Sequence, residues 1–182
     1  KVVTFPQQVH IEGGDVMPYG NYIFVGTYYG DDYSSYITAR TNMAAVTALQ
    51  KLFPKKIVKP FNLKKSNTVA QDNALHLDCC FQPLGHGRCI IHKDGFLLEE
   101  EYQWLVDFFG PENCFHIDKQ EMYHMNSNIF SISEDVIISE KNFTRLNSWL
   151  VDKGYTVEEV CYGEIAKQEG LLRCSTMPLI RE

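Results

Sequence analysis

The order strand, strand, helix, strand recurs three times along this chain, and the recurrence constrains the fold more than any single motif. Each predicted helix carries apolar side chains three and four residues apart, the spacing of a helix with one buried face. Gly110 and Gly154 follow the second and third helices, where glycine commonly ends a helix. A period of roughly 45 to 65 residues is typical of pseudo-symmetric arrays of α/β units. Strands of successive units can then present side chains to a common axis.

The predicted elements have the same order in each unit. Residues 27–36 are polar and aromatic without periodicity, and they predict a loop that is either a lid or solvent-exposed decoration. The units are strands 15–19 and 22–26, helix 43–53 and strand 56–60; strands 75–84 and 88–92, helix 97–109 and strand 114–117; strands 127–133 and 135–139, helix 143–153 and strand 156–162; and a last strand at 174–180.

Composition limits the classes of partner. The 182 residues are 45% hydrophobic and 22% charged, which predicts one globular domain with a sizeable core. A net charge of -6 without a basic run argues against nucleic acid and anionic membrane surfaces, and it would not repel a cationic small molecule. No apolar run reaches the roughly 20 residues of a membrane span. We therefore expect a soluble, cytoplasmic protein whose six scattered cysteines are reduced.

A polar pair, His76 and Asp78, interrupts the apolar segment predicted as strand 75–84. Alternation along a strand would place Leu75 and Leu77 on one face and both polar side chains on the other. The pair is compatible with a paired functional site. It is equally compatible with a core histidine that is hydrogen-bonded to a neighbouring carboxylate, and the segment alone leaves both interpretations open.

Two further motifs supply the other parts of a nucleophilic site. Glu12-Gly13-Gly14-Asp15 lies near the start of the chain, and Cys174 lies near its end. A cysteine, a histidine and carboxylates are the groups that covalent catalysis uses. A free cysteine is also commonly a small buried hydrophobe, and this alternative applies to Cys174 as well. The segment 126–128, Asn-Ser-Asn, occupies the equivalent position of the third unit, where it either faces the common axis or forms a turn.

In this order, the motifs Glu12-Gly13-Gly14-Asp15, His76-Leu77-Asp78 and Cys174 resemble those of the guanidino-group-modifying, or pentein, superfamily. Its members include arginine deiminases, dimethylargininases, agmatine deiminases and amidinotransferases. The resemblance covers nearly the whole chain and implies an α/β propeller of five units with the active site in its central channel. Residues 1–182 would form a single domain of about three and a half units, the C-terminal part of a longer propeller. An upstream segment would supply one further aspartate.

The resemblance also implies roles for the motif residues. Cys174 is the expected nucleophile, with its pKa lowered by a nearby cation, either His76 or the bound substrate. His76 is the expected general acid and base, held by Glu12, which favours the charged imidazole. Asp78 is expected to accept hydrogen bonds from a guanidinium. Asp15 is either a second carboxylate of that network or a support for the glycine bend.

Two departures from the family pattern accompany the resemblance. The loop before Arg40 is longer than in relatives, by roughly ten residues, and exceeds ordinary connections. By resemblance Arg40 binds a substrate α-carboxylate, and the alternative is an arginine that caps this loop. Relatives often have a glycine-rich loop ahead of the cysteine, whereas this chain has Gly170 alone. No cofactor or metal is expected.

The expected function is hydrolysis of a C–N bond in a small, arginine-related guanidino or ureido compound through a covalent Cys174 intermediate. The alternatives are amidino transfer to an amine acceptor and a noncatalytic, incomplete propeller that acts as a binding module. A cysteine peptidase is disfavoured, because the repeated units do not indicate a two-lobed layout. Substrate selectivity depends on loops, and the sequence does not name the substrate.

Overall fold

Three three-stranded sheets of the same topology form the framework of the protein. The computed structural model describes residues 2–168 and 170–178. The chain folds into two compact units, one formed by Lys1–Leu77 and Asp94–Tyr102, the other by Asp78–Lys93 and Gln103–Glu182. The first unit contains one of the sheets, and the second unit contains the other two.

In the first unit, β1 (Val16–Tyr19) pairs antiparallel with β2 (Tyr22–Thr27), and helix α1 (Met43–Leu52) leads to β3 (Ile57–Asn62), which pairs parallel with β2. The middle strand β2 reads as a nearly continuous apolar run, as expected for a strand covered on both faces. Asn42 caps α1 by accepting the N–H of Ala45 at 3.2 Å. The core between helix and sheet is formed by Ile23, Val25, Val46, Leu49 and Val58.

The first sheet of the second unit repeats this topology. Strand β4 (Phe81–Leu84) pairs antiparallel with β5 (Arg88–Ile91), and β6 (Cys114–His116) pairs parallel with β5. Helix α2 (Glu99–Phe109) precedes β6 and buries its apolar stripe. The buried residues of this stripe are Leu105, Val106 and Phe109.

A short helix, α3 (Lys119–Tyr123), follows β6 and begins with a capping box formed by Asp118 and Glu121. The sequence does not predict this helix, because five residues are too few for a periodic pattern.

The last sheet contains β7 (Phe130–Ser131), β8 (Val136–Glu140) and β9 (Thr156–Val160), again antiparallel and then parallel about the middle strand. Helix α4 (Thr144–Asp152) connects β8 to β9. A second short helix that the sequence does not predict, α5 (Gly163–Ala166), follows β9.

The predicted order of strands and helices is thus confirmed in all three repeats, and most element ends agree within about two residues, the usual uncertainty of such boundaries. The fold is α/β with three small sheets of equal topology. Their assembly into a propeller remains a prediction.

The predicted strand 75–84 is wrong in its first half. Leu77–Cys79 form a 3-10 turn, and the strand begins only at Phe81. The reason is that side chains satisfy the backbone before Phe81: Asp15 Oδ1 accepts the N–H of Leu77 at 2.9 Å, and Ser127 Oγ donates to the carbonyl of Asp78 at 2.8 Å. His76 and Asp78 therefore do not share the face of a strand.

Two other leading strands also differ from the prediction. The segment 127–133 is a strand only at Phe130–Ser131. Residues 172–175 form a turn and 176–178 have no regular secondary structure, so the predicted strand 174–180 is wrong over its described part; residues 179 and 180 lie outside the described residues. Ser175 stabilises the turn, because both its N–H, at 3.1 Å, and its Oγ, at 2.7 Å, donate to the carbonyl of Leu171.

No helix formed by residues 2–168 and 170–178 is long and apolar enough to cross a membrane. All six cysteines are free thiols. Cys79, Cys80, Cys89 and Cys114 are buried, whereas Cys161 and Cys174 are exposed.

Helix α4 provides a test of the core. Leu146 is 0% exposed and Val151 of the same helix is 58% exposed. We expect Leu146→Ala to lower the free energy of unfolding by about 2 to 5 kcal/mol, because it removes buried contacts and leaves a cavity. Val151→Ala, the matched control, should change it by less than about 0.5 kcal/mol. Chemical denaturation measures both values, and equal losses would contradict the described burial.

Candidate functional site

Thr41 holds both ends of the motif Glu12-Gly13-Gly14-Asp15 by hydrogen bonds. The N–H of Glu12 donates to Thr41 Oγ1 at 3.1 Å, and this hydroxyl donates to Asp15 Oδ2 at 2.6 Å. Between the two acids the chain turns through a single 3-10 turn at Gly13–Asp15. The turn lets Glu12 remain partly exposed while Asp15 is only 1% exposed.

Gly14 allows the main chain to lie against the ring of His76. A Cβ at position 14 would be 2.8 Å from both Cγ and Nδ1 of the imidazole, which is closer than real contacts allow. The motif therefore requires glycine here for close packing, and positive φ angles have no part in it.

Glu12 lies between an imidazole and a guanidinium. Its Oε2 is 2.6 Å from His76 Nε2, and its Oε1 accepts from Arg40 Nη1 at 3.2 Å. The His76 side chain is 14% exposed, against 41% for Glu12 and 46% for Arg40. A carboxylate at this distance orients the imidazole through a hydrogen bond.

Asp15 is an anchor for the backbone beside His76. It accepts from the Thr41 hydroxyl and from the N–H of Leu77. Burial raises the pKa of Asp15 to about 6, against the opposing effects of the charges of His76 and Lys65 and of these hydrogen bonds. Lys65, itself buried, donates to the carbonyls of residues 74 and 75, so both sides of the His76 segment are held by polar side chains.

The second unit contains Asp78 and Cys174. Asp78 is fully buried, and its Oδ2 accepts from Arg173 Nη1 at 2.9 Å. The same oxygen lies 3.8 Å from Cys174 Sγ, while Oδ1 lies 3.8 Å from the sulfur of Cys79. A thiol that the sequence places 96 positions away thus lies beside a buried carboxylate.

Asn128 fixes the turn that carries the cysteine. It is fully buried, and its Oδ1 accepts the N–H groups of Leu171 at 3.1 Å and Cys174 at 3.2 Å. Its Nδ2 donates to Cys174 Sγ at 3.2 Å. Gly170 packs on the other side of the turn, where a Cβ would lie 3.0 Å from that of Cys174. The sequence predicts that Asn128 either faces the common axis or forms a turn. It does not predict the contact between Asn128 and the Cys174 sulfur, because no local pattern encodes it.

The expected low pKa of the Cys174 thiol is wrong for this arrangement. Partial burial and the charge of Asp78 raise its pKa, and together they outweigh the lowering by the Asn128 amide, the Leu171 N–H and the Arg173 guanidinium. The thiol is therefore mainly protonated near neutral pH. Additional positive charge close to the sulfur would favour the thiolate.

The predicted site residues thus fall into two groups. The first unit brings Glu12, His76 and Arg40 into one hydrogen-bonded group and supports it with Asp15. The second unit brings Asp78 and Cys174 together. Among residues 2–168 and 170–178, no cluster of three or more His, Cys, Asp or Glu side chains is arranged to hold a metal ion.

Comparison with known proteins gives one curated relative and several similar structures, and no family model matches the chain. The relative is the uncharacterized protein YkgA of Bacillus subtilis (strain 168), which is 28% identical over 172 residues. The match covers 94% of this chain and 52% of YkgA, so the chain spans about half the length of that relative.

Two similar structures are of enzymes. One is the N-terminal domain of ArgZ, bound to product; ArgZ is an arginine dihydrolase from the ornithine-ammonia cycle in Cyanobacteria. The TM-score is 0.81 at 21% identity, and the match covers 100% of this chain and 60% of the ArgZ chain. A mutant DDAH from Pseudomonas aeruginosa, complexed with citrulline, has a TM-score of 0.69 at 22% identity, covering 91% and 55%. At these identities the likeness is one of fold.

The buried Asp15 should make stability depend on pH. Because its pKa is raised from 3.8 to about 6, the folded protein holds the Asp15 proton more tightly than the unfolded chain does. The resulting stabilisation is complete below about pH 4 and is lost as pH rises through about 6. Relative to Asp15→Asn, the wild type should lose about 3 kcal/mol of unfolding free energy over this range. Denaturation at each pH measures it, with Asp31→Asn at an exposed position as control. Parallel curves for wild type and Asp15→Asn would contradict the assignment.

The Asn128 amide should favour the Cys174 thiolate. In Asn128→Ala, we expect the pH midpoint of Cys174 alkylation by iodoacetamide to move upward and the rate at pH 7 to fall about tenfold, the loss expected for one charge-assisted hydrogen bond. Peptide mapping by mass spectrometry follows the rate at each pH. Asn126→Ala, in the same segment, is the matched control. A changed plateau rate with an unchanged midpoint would indicate altered access to the thiol and contradict the prediction.

Proposed function

Because the chain has the fold of the pentein superfamily, the guanidino-modifying enzymes that include ArgZ and DDAH, we propose that it hydrolyses a C–N bond of a small guanidino or ureido compound through a covalent bond to Cys174. The observation that carries the proposal is the position of the Cys174 sulfur, 3.8 Å from a fully buried carboxylate and 3.2 Å from the Asn128 amide. A structural cysteine packed as a hydrophobe needs neither neighbour.

Asp78 is the proposed recognition group for the reacting head of the substrate. A fully buried carboxylate is stable only with a charged or strongly donating partner. The guanidinium of Arg173, 2.9 Å away, demonstrates that Asp78 Oδ2 accepts from a group of this chemistry. A substrate guanidinium on the same carboxylate would have its central carbon close to the sulfur.

The first half of the proposed reaction forms the covalent intermediate. When the substrate binds, the Cys174 thiol loses its proton to solvent. The thiolate then attacks the central carbon and makes a C–S bond, after which the C–N bond to the departing amine breaks. The amine leaves with a proton that His76 donates as general acid. Cationic substrates assist this step, because positive charge next to the sulfur opposes the effect of Asp78 on the thiol pKa.

The second half releases the product. Water adds to the central carbon of the intermediate and gives a proton to His76, now acting as general base. The C–S bond then breaks, the second proton of the added water is lost to solvent, the oxygen remains on the carbon as a carbonyl, and the Cys174 thiolate is restored. Glu12, with Oε2 2.6 Å from His76 Nε2, orients the ring in both halves.

The remaining candidates have supporting roles in this proposal. Arg40 is the proposed group for the α-carboxylate of an arginine-like substrate; its guanidinium is 46% exposed and contacts one oxygen of Glu12. Asp15 acts on the structure alone, by holding Thr41 and the N–H of Leu77.

The test is turnover of arginine, citrulline, agmatine and methylated arginines by the full-length protein that contains this chain. We expect release of ammonia or an alkylamine without an added acceptor, and a fall in kcat of about a thousandfold or more in Cys174→Ser, the loss typical of a nucleophile. Cys161→Ser changes the other exposed cysteine and should retain activity. Turnover only with an amine acceptor would favour amidino transfer, and ligand binding without turnover would favour a binding module; either result rejects the hydrolase.

Joint action of His76 and Cys174 has a separate signature. Residues that act in one step do not contribute independently, so Cys174→Ser combined with His76→Ala should be little worse than Cys174→Ser alone. Steady-state rates of the two single variants and the double variant measure the coupling. If the two effects multiply, His76 does not act on the Cys174 intermediate.

A further inference from the structure

Arg173, directly before the candidate nucleophile, contacts the carboxylate that is proposed to bind the substrate. Its Nη1 lies 2.9 Å from Asp78 Oδ2, with 21% of the arginine side chain and 1% of the aspartate side chain exposed. Its N–H donates to the carbonyl of Asn128 at 3.3 Å, so the backbone of Arg173 is fixed by the same residue that holds the cysteine. The side chain and the nucleophile therefore belong to one ordered turn.

The chemistry of this contact is that of substrate recognition. A guanidinium is planar and always charged, and it donates to a carboxylate in a directional way. A cationic guanidino or amidino head group would use the same donors on the same oxygen. Asp78 is fully buried and its Oδ2 already accepts from Arg173, so a ligand guanidinium that reaches this oxygen has to share it with Arg173 or displace Arg173 from it.

We propose, on the basis of the function proposed above, that Arg173 is a specificity-determining residue whose guanidinium competes with a cationic head group for Asp78. In the wild type a cationic head group must displace Arg173 from Asp78 or share Asp78 with it. The same contact weakens the binding of a neutral ureido or amide head group less. Arg173 thus weakens the preference of the site for cationic over neutral head groups.

The test compares two alkylating agents of nearly equal shape, cationic 2-chloroacetamidine and neutral 2-chloroacetamide. In each reaction the Cys174 thiolate forms a C–S bond to the methylene carbon, and chloride leaves. The measured quantity is the ratio of the two second-order rate constants, amidine over amide, from mass spectrometry of the Cys174 peptide. The ratio cancels any change in the thiol pKa that the loss of Arg173 causes, because both agents react with the same thiolate.

We expect Arg173→Ala to raise the ratio about tenfold, the scale of one charge-assisted contact that no longer has to be displaced. Arg173→Lys keeps a cation and should leave the ratio near the wild-type value. Asp78→Asn in the Arg173→Ala background should abolish this increase in the ratio. Arg145→Ala, which removes an arginine paired with Glu121 in the same unit, is the matched control.

The outcomes separate the two proposals. An unchanged or lower ratio in Arg173→Ala, with Cys174 still the site that the amidine labels fastest, rejects competition by Arg173 and leaves the proposed function standing. Equal labelling of the exposed cysteines by both agents in every variant rejects the proposed function itself. If Arg173→Ala does not fold, as judged by circular dichroism, Arg173→Gln replaces it, because its amide keeps much of the volume without the charge. A ratio in Arg173→Gln equal to that of the wild type also rejects competition.

Discussion

The burial of Asp78 is the constraint on which the arrangement around Cys174 in the second unit depends. An ionised carboxylate without access to water is costly unless charged or hydrogen-bonding groups replace the lost solvation. Arg173 provides the charge, and because it precedes Cys174 directly, the pairing also brings the thiol to 3.8 Å from Asp78. Asn128 then completes the arrangement by holding the turn and donating to the sulfur.

The first unit also contains a buried carboxylate, that of Asp15, but its hydrogen-bond partners differ from those of Asp78. Asp15 is also buried, and it accepts from a hydroxyl and a backbone N–H. Burial raises the pKa of Asp15 to about 6, although both hydrogen bonds lower it. The carboxylate holds the backbone next to His76 through the N–H of Leu77. Glu12 lies directly before the turn Gly13–Asp15 and remains half-exposed, where it orients the imidazole. One acidic motif therefore contains a structural carboxylate, Asp15, and a carboxylate that orients His76, Glu12.

The environment of the Cys174 thiol differs from that expected for a nucleophile with a lowered pKa. Proximity to a carboxylate raises the pKa of Cys174, so the isolated site does not favour the thiolate. A site of this kind gains reactivity from a cationic ligand, which changes the charge around the sulfur at the moment of binding. Arg173 has opposing effects, since its charge lowers the thiol pKa while its guanidinium engages the acceptor that a ligand would use.

The sequence by itself determined the repeated order of strands and helices and the identity of the motif residues, because burial of one face imposes a local period of two or 3.6 residues that can be counted along the chain. Only the tertiary structure decided the turns at Leu77–Cys79 and 172–175, the role of Asn128 and the pairing of Arg173 with Asp78. The role of Asn128 and the pairing of Arg173 depend on contacts between residues 46 and 95 positions apart in the chain, from Asn128 to Cys174 and from Asp78 to Arg173. A local pattern does not record such partners, and burial, which sets their energies, exists only in the folded chain.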